Sequence, residues 1–422
     1  MQPRRPMPRL SRRTFLSGAA LGMAAGSPLL AACARDSATS SNSGSGGAST
    51  NELQIATPDN PVTWPISDDN PMIESGLEPE RDAKLIVYNY PDYLAPKVIN
   101  SFEEKYARYG VKVEVTTFND YQEALAKIRS GTAPYDVFLP SYDAIAKLVT
   151  AGLIQPLNHD YLPHIKDVWP EFQDPFYDGE WRYTVPYNVY TTGIGWRTDK
   201  VEEDITARDN PWDVFWDPAY ASRLSVIDDY RETIGMALLR AGHTDVNTGD
   251  PQLLQQASQD LTELSETTKP KVTITQYTDL PEGRLDVVHA WSGDLIAGPF
   301  YLPSGESPSV LRYWYAEDGR GVLNNDLMTV ARNGKNPVLA HLFLDHVLTA
   351  DVALDNFAWV GYQPPQVGLT PEKMVDDGYV PEALATAIVR PEDFRKGYRI
   401  LELSPEVDLQ WQQVWQQFKA GG

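Results

Sequence analysis

Cysteine is almost missing: Cys33 is the only one in 422 residues. No intramolecular disulfide can form, and no second thiol is available for redox or metal chemistry. Histidine is scarce as well, at six residues: His159, His164, His243, His289, His341 and His346. The nearest pair on one expected helix, His341 and His346, is five apart and falls on different faces, so it is not a chelating i,i+4 pair. Both read as helix-surface residues, and no metal site is expected. Positive charge is thin: 36 Lys and Arg stand against 58 Asp and Glu, a formal charge of −22. Such a surface repels phosphate backbones, so no nucleic-acid partner is expected. Enzyme signatures are also lacking. There is no G-x-S-x-G elbow, P-loop, H-E-x-x-H, or G-x-G-x-x-G opening a helix, so neither a catalytic residue nor a cofactor is expected.

What is present begins with Ser11-Arg12-Arg13-Thr14-Phe15-Leu16, a small-and-apolar run, and then Leu30-Ala31-Ala32-Cys33. Paired arginines before a moderately apolar segment form a twin-arginine (Tat) export signal. The small residues before Cys33 form a lipoprotein cleavage box, with the thiol as the acceptor of diacylglycerol. A membrane-spanning helix fits poorly, because the run is short, rich in Gly, Ala and Ser, and broken by Pro28. The expectation is a signal peptide over residues 1–32, lipidation at Cys33, and an extracytoplasmic protein held to the cell membrane by lipid. Removing residues 1–32, with five arginines and no acid, takes the formal charge from −22 to −27.

Residues 33–50 read as a flexible tether without apolar periodicity, and residues 51–80, rich in Pro, Asp and Asn, as an irregular arm on the folded body. From Lys84 the pattern becomes α/β. Leu85-Ile86-Val87-Tyr88 is a buried-strand run, residues 98–108 carry apolar side chains at helical spacing, and Val111, Val113 and Val115 alternate as a strand. Asn119 or Asp120 would cap the next helix, residues 135–140 form a strand, and 144–151 a helix closed by Gly152. The second half repeats the style, with strands at 224–227 and 287–290 and helices at 234–242 and 336–348. Alternating strands and helices imply mostly parallel sheets, whose ligands bind beyond the carboxyl ends of the strands.

At those ends a carboxylate recurs beside an aromatic: Tyr90-Pro91-Asp92-Tyr93, Asp228-Asp229-Tyr230-Arg231-Glu232, Trp291-Ser292-Gly293-Asp294 and Asn324-Asn325-Asp326. Acids supply charge-assisted hydrogen bonds to an organic ammonium, and π-faces supply cation–π attraction. Structural roles fit the same residues. Asp229 with Glu232 is also a capping-box pattern, Asp92 also suits a helix cap, and Trp291 also suits a core. Asp294 and Asp326 lack a helix-start pattern.

Over residues 82–420 the chain resembles the polyamine (spermidine/putrescine)-binding solute receptors of ABC importers. The first strand with Tyr90–Tyr93, then Tyr135-Asp136-Val137-Phe138-Leu139-Pro140-Ser141, then residues 183–187 with 192–195 carry the resemblance. So do Asp229 to Glu232, Trp291 to Asp294, Asp326, and Gly361-Tyr362. Tyr90 stands where Trp is common, Asn324 where an aromatic is common and Asp143 where some members have Tyr, and no glutamine is apparent near Leu401. The resemblance implies a two-lobe, type II periplasmic-binding-protein fold with the ligand cleft between lobes. Lobe 1 would comprise residues 81–190 and 326–370, and lobe 2 residues 191–325 and 371–422, with crossings near 190–194, 322–326 and 370–373. It implies ligand contacts from Tyr90, Asp92, Tyr93, Ser141, Asp229, Glu232, Trp291, Asp294, Asp326 and Tyr362. It also implies a monomer that hands a polyamine to an ABC permease. Five acids exceed the charges of a triamine, so some must be water-bridged, paired with Arg231, or outside the pocket. The alternatives are a receptor of the same fold for another cationic or small polar solute, and a secreted carbohydrate-active enzyme, whose clefts also combine acids with Trp and Tyr.

Overall fold

The computed structural model describes residues 54–118, 121–316 and 318–421. The export signal, Cys33, the tether and the candidate caps Asn119 and Asp120 lie outside the described residues. Residues 54–83 contain no helix or named strand. They are nevertheless held down: Val62 and Trp64 are buried, Trp64 Nε1 donates to Tyr177 O (2.9 Å), and Glu80 accepts from the first amides of the helix Pro337–Leu348.

Among the described residues nine strands form one sheet: β1 (Lys84–Asn89), β2 (Lys112–Thr117), β3 (Val137–Phe138), β4 (Thr184–Arg197), β5 (Leu224–Ile227), β6 (Lys271–Thr273), β7 (Val287–Trp291), β8 (Leu311–Trp314) and β9 (Val322–Val330). The order is β2-β1-β3-β9-β4-β7-β5-β6, with β8 also on β4. The outer strands pair in parallel, β1 with β2 and β3, and β5 with β6 and β7. Helices Pro96–Lys105 and Tyr121–Arg129 provide the crossovers of the first group. The centre departs from the mostly parallel expectation, since β3–β9, β9–β4, β4–β7 and β4–β8 are all antiparallel. The cause is β4, fourteen residues buried end to end, which leaves β9 and joins β7 at Thr192, paired with both Val322 and Trp291. Buried on both faces, it reads as an apolar run whatever its direction. Its register against β9 slips by one residue between Pro186 and Asn188, leaving Tyr187 as the extra residue of a bulge.

The strand expected over residues 135–140 shrinks to two residues. Asp136 is buried and its carboxylate accepts from Ile86 N, Asn336 N and Asn336 Nδ2 (2.8, 3.0 and 3.0 Å), and Pro140 has no N–H to pair. The histidine expectation also fails. The helix Pro337–Leu348 is buried on every face, so His341 and His346 are core residues. His341 Nδ1 lies 2.7 Å from Pro337 O while its Nε2 accepts from Asn158 N (3.1 Å), which fixes a neutral ring. Among the described residues hydrophobic packing falls into one large group around Leu85, Val87, Phe138 and Phe343, two others around Trp212, Phe215 and Trp411 and around Leu295, Tyr313 and Phe357, and a small one of Val246, Val322 and Ile400.

Candidate functional site

After β1 the chain turns sharply, with Asp92 in the left-handed region (φ 54°), and this turn drives Tyr93 inward. The Tyr93 hydroxyl donates to Asp326 Oδ2 (2.6 Å) and accepts from Asn188 Nδ2 (2.5 Å). Its carbonyl is held by the Tyr187 hydroxyl, to which Asn356 Nδ2 donates (2.8 Å). The bulge in β4 is what lets neighbours 187 and 188 both reach Tyr93. Asp326 sits within β9, not ahead of a strand, and bridges to Ser141. Its Oδ1 accepts from Ser141 Oγ (3.2 Å) and, at a weak 3.4 Å, from the Tyr190 hydroxyl. Burial pushes its carboxyl up to about 6 despite these donors.

Two more carboxylates approach from the other half of the sheet. Glu232, in the first turn of the helix Tyr230–Arg240, accepts from Trp291 Nε1 at the end of β7 (2.9 Å). Its Oε2 meets no partner at hydrogen-bond geometry, although the Thr192 hydroxyl lies near enough to pull against the shift. Burial, and then Asp229, push Glu232 up to about 8. Asp294 lies in the first turn of a short helix, Ser292–Ala297, although the sequence shows no helix-start pattern there. It accepts from the Tyr362 hydroxyl (2.9 Å) and Gln276 Nε2 (2.8 Å), and burial raises it to about 7.

Aromatic rings connect these acids. Centroids run Tyr90–Tyr93 at 5.8 Å, Tyr93–Tyr362 at 4.9 Å, Tyr362–Tyr190 at 5.6 Å and Tyr190–Trp291 at 6.3 Å. Two glycines make room for Tyr362: a Cβ on Gly293 would sit 2.4 Å from its ring, and one on Gly361 would sit 2.3 Å from Gly293 O. Glu232, Asp294 and Asp326, all buried, form no ion pair with a Lys, Arg or His among the described residues, and accept only from neutral donors. Such a cluster disfavours charge on its own and gains most from an entering cation.

Of the residues singled out by sequence, Tyr93, Ser141, Glu232, Trp291, Asp294, Asp326 and Tyr362 come together, with Tyr90 at one end of the ring series. Two do not take the same place. Asp92 is exposed and caps nothing: the helix Pro96–Lys105 starts at Ala95 with no side-chain cap. Asp229 is the cap of the helix Tyr230–Arg240, accepting from Arg231 N (2.8 Å) and Glu232 N (3.1 Å). The box is incomplete, because the Glu232 side chain turns to Trp291 instead. The sequence reading missed Asn188, Tyr190 and Gln276 as site members. The first two share a face of β4 by the period-two rule, whereas nothing marks Gln276. A hollow of about 150 Å³ lies to one side, lined by Trp212, Trp314, Tyr315 and Tyr398 among others, and of the residues above only Thr192 borders it.

The sequence profile of the bacterial extracellular solute-binding protein family matches residues 97–378. The spermidine/putrescine-binding periplasmic protein of Salmonella typhimurium is 26% identical over 305 residues, 71% of this chain and 83% of that protein. The putrescine/cadaverine-binding protein of Pseudomonas aeruginosa is 27% identical over 293 residues, 68% of this chain and 81% of that protein. A solved structure described as a spermidine/putrescine ABC transporter from Listeria monocytogenes superposes with a TM-score of 0.68 at 25% identity, covering 80% of this chain and 98% of that one.

Proposed function

The chain belongs to the bacterial extracellular solute-binding protein family, and from that premise we propose that it captures a polyamine between two lobes and delivers it to an ABC importer. The observation that carries this reading is the set of three buried carboxylates, Glu232, Asp294 and Asp326, joined by aromatic rings and without an ion-pair partner among the described residues. One ion pair at ~4 Å and an effective dielectric of ~20 is worth about 4 kcal/mol before desolvation. An organic ammonium therefore relieves a cost the protein otherwise carries, and its methylenes lie against the rings. An amino acid fits less well, since its α-carboxylate would meet these acids. The role is capture and hand-over, without catalysis.

In this reading Tyr90, Tyr93, Ser141, Glu232, Trp291, Asp294, Asp326 and Tyr362 line the cleft, and Asp229 supports Glu232 from the helix cap. β4 and β9 are the crossings about which residues 81–190 with 326–370 close on residues 191–325 with 371–422. Closure follows from the ligand's higher affinity for the closed state. The receptor is a monomer, exported by the twin-arginine route and tethered outside the cytoplasm through lipid on Cys33. Thermal-shift titration with putrescine, spermidine, spermine, lysine, arginine and neutral sugars tests the reading. A polyamine at about 100 times its Kd stabilises the folded protein by ~2.7 kcal/mol. Stabilisation by a sugar or neutral amino acid, with none from any polyamine, would overturn it.

A further inference from the structure

Along β4 the side chains of Asn188, Tyr190 and Thr192 share one face by the period-two rule. Tyr190 stands among the acids, and Thr192 comes about 7 Å further on, at ~3.3 Å per residue. Thr192 is opposite Trp291 in the register, and Trp291 Nε1 donates to Glu232 Oε1 (2.9 Å). Two residues beyond, Ile194 is opposite Trp314 on β8. Residues directly opposite in an antiparallel pair project to the same side. Trp291, Thr192 and Trp314 therefore follow one another on the face that carries the acids. The hollow of about 150 Å³ lies at this step. Trp212 stands edge-on to Trp314 there, with centroids 5.3 Å apart at 87°, and Tyr398 is bridged to Val322, the other partner of Thr192. Thr192 has the acids on one side and the hollow on the other.

This shared boundary carries unanswered acceptors. Thr192, 1% exposed, has a buried hydroxyl oxygen with no hydrogen-bond partner in the protein, and Glu232 Oε2, near it, is in the same state. A primary ammonium brings three donors and can answer both. The rest of that ligand cannot be a second ammonium. Trp212, Trp314, Tyr315 and Tyr398 wall the hollow with rings, and among the described residues its one charged lining residue is Arg320, 4.0 Å from Asp318. A second cation would meet a like charge and no carboxylate on the walls. The volume matches that of an apolar cavity that takes a benzene ring. We infer that the hollow is a side pocket of the cleft for the uncharged, ring-sized tail of a primary monoamine whose ammonium sits at Thr192 and Glu232, so that arylalkylamines are a second class of ligand. The inference shares the Glu232 position with the polyamine reading above but needs no polyamine to bind.

Titration calorimetry of the full chain with 2-phenylethylamine, ethylamine, 2-phenylethanol and putrescine tests it. 2-Phenylethylamine should bind at least about tenfold more tightly than ethylamine, which lacks the ring, and than 2-phenylethanol, which lacks the charge. It should also compete with putrescine, since both place an ammonium at Glu232. Ala316→Phe and Thr244→Phe, at the partly and fully exposed rim of the hollow, fill it at positions remote from the acids in the sheet. Each should weaken 2-phenylethylamine by about tenfold or more and leave putrescine unchanged; two positions are used because one plug can turn outward or disturb the fold. 2-Phenylethylamine binding no tighter than ethylamine, not competing with putrescine, or undiminished in both folded variants overturns the inference, and bound putrescine then leaves the polyamine reading standing. Equal losses of both amines in the two variants overturn it as well, because the effect then lies at Glu232. Binding of 2-phenylethylamine without any polyamine overturns the polyamine reading alone.

Discussion

The Tyr93 hydroxyl lies 2.6 Å from Asp326 Oδ2, joining residues 233 apart in the chain. It ties the turn after the first strand to the middle of the ninth. Burial and then Asp326 hold the Tyr93 phenol well above its usual range, so it remains a donor at any physiological pH. Asp326 is therefore aimed by a group that cannot neutralise it.

Asp326→Asn keeps the size of the side chain and one acceptor oxygen but removes the charge. Truncating one partner of a buried charge-assisted pair costs 2–5 kcal/mol, so polyamine affinity should fall by roughly 30-fold or more. Stability without ligand should hold or rise, since a buried, raised carboxyl is removed. Calorimetry with a parallel urea melt checks both. Unchanged affinity would place Asp326 outside the ligand contacts.

At Asp229, cap and charge separate by choice of substitution. Asn caps a helix about as well as Asp, whereas Ala loses the bonds to Arg231 N and Glu232 N, at a cost of about 1 kcal/mol. Asp229→Ala should lower the urea midpoint and Asp229→Asn should leave it nearly in place. Equal loss in both would show that the charge, rather than the cap, sustains the helix start.

Gly293→Ala puts a methyl 2.4 Å from the Tyr362 ring. The ring must move, and the bond from its hydroxyl to Asp294 goes with it. Overpacking of this kind costs about 1–3 kcal/mol, and ligand affinity should drop by about tenfold or more as Asp294 loses its donor. A crystal structure of the variant with calorimetry tests the sequence of causes; a retained Tyr362 position with full affinity would refute it.

Stability of the ligand-free protein should fall as pH rises from about 6.5 to 8. Asp178 and Asp294 are raised to about 7, and Glu232 and Glu402 to about 8, each chiefly by burial. Each holds its proton in the folded state from its ordinary value near 4 up to its raised value, so its contribution is lost between about pH 4 and 7 for the aspartates and 8 for the glutamates, at up to about 1.4 kcal/mol per pH unit, and above 6.5 the histidines no longer offset that loss. The buried histidines act oppositely and lower down. His289 is depressed to about 3 and His341 and His346 to about 4 from 6.5, so their contribution is lost as pH falls below 6.5. Bound polyamine should flatten the alkaline slope and release protons, visible as buffer-dependent enthalpy in calorimetry.

Cys33→Ala should leave polyamine affinity unchanged while releasing the protein from membranes or leaving it unprocessed. Stable anchoring needs more than one acyl chain, which lipoprotein maturation can supply. A mature wild-type N-terminus anywhere but Cys33 would refute the anchor.

The outer strands were legible because they alternate or run apolar between clear turn signals: the strand at 224–227 appears at its expected bounds. The antiparallel centre was not. Proline and glycine are depleted in strands, yet Pro186, Gly193 and Gly195 lie inside one continuous strand. Gly193 is there because a Cβ would meet Trp314 O at 2.1 Å, a contact invisible in the chain itself. The acid-and-aromatic groups at strand ends led to Glu232, Asp294 and Asp326, but not to which acids already serve the helix (Asp229) or face solvent (Asp92). That division depends on where Trp291 and Tyr93 point. The histidines misled because nothing in the chain itself shows that this helix is covered on both of the faces that a five-residue spacing separates.

The bulge at Tyr187 is the one place where this strand has slack in its length. Pro186 pairs with Leu327 and Asn188 with Asp326, so the facing of Asn188, Tyr190 and Thr192 follows their partners on β9 and not the extra residue. Deleting Tyr187 would leave that pairing regular and remove the hydroxyl that holds the Tyr93 carbonyl. A deletion beyond Asn188 has no such slack: it would turn the rest of the strand over, and both faces are buried. Descendants of this sequence are therefore free to retune the ligand by exchanging side chains in place, while gains and losses of residues are confined to the bulge and to segments beyond the strand.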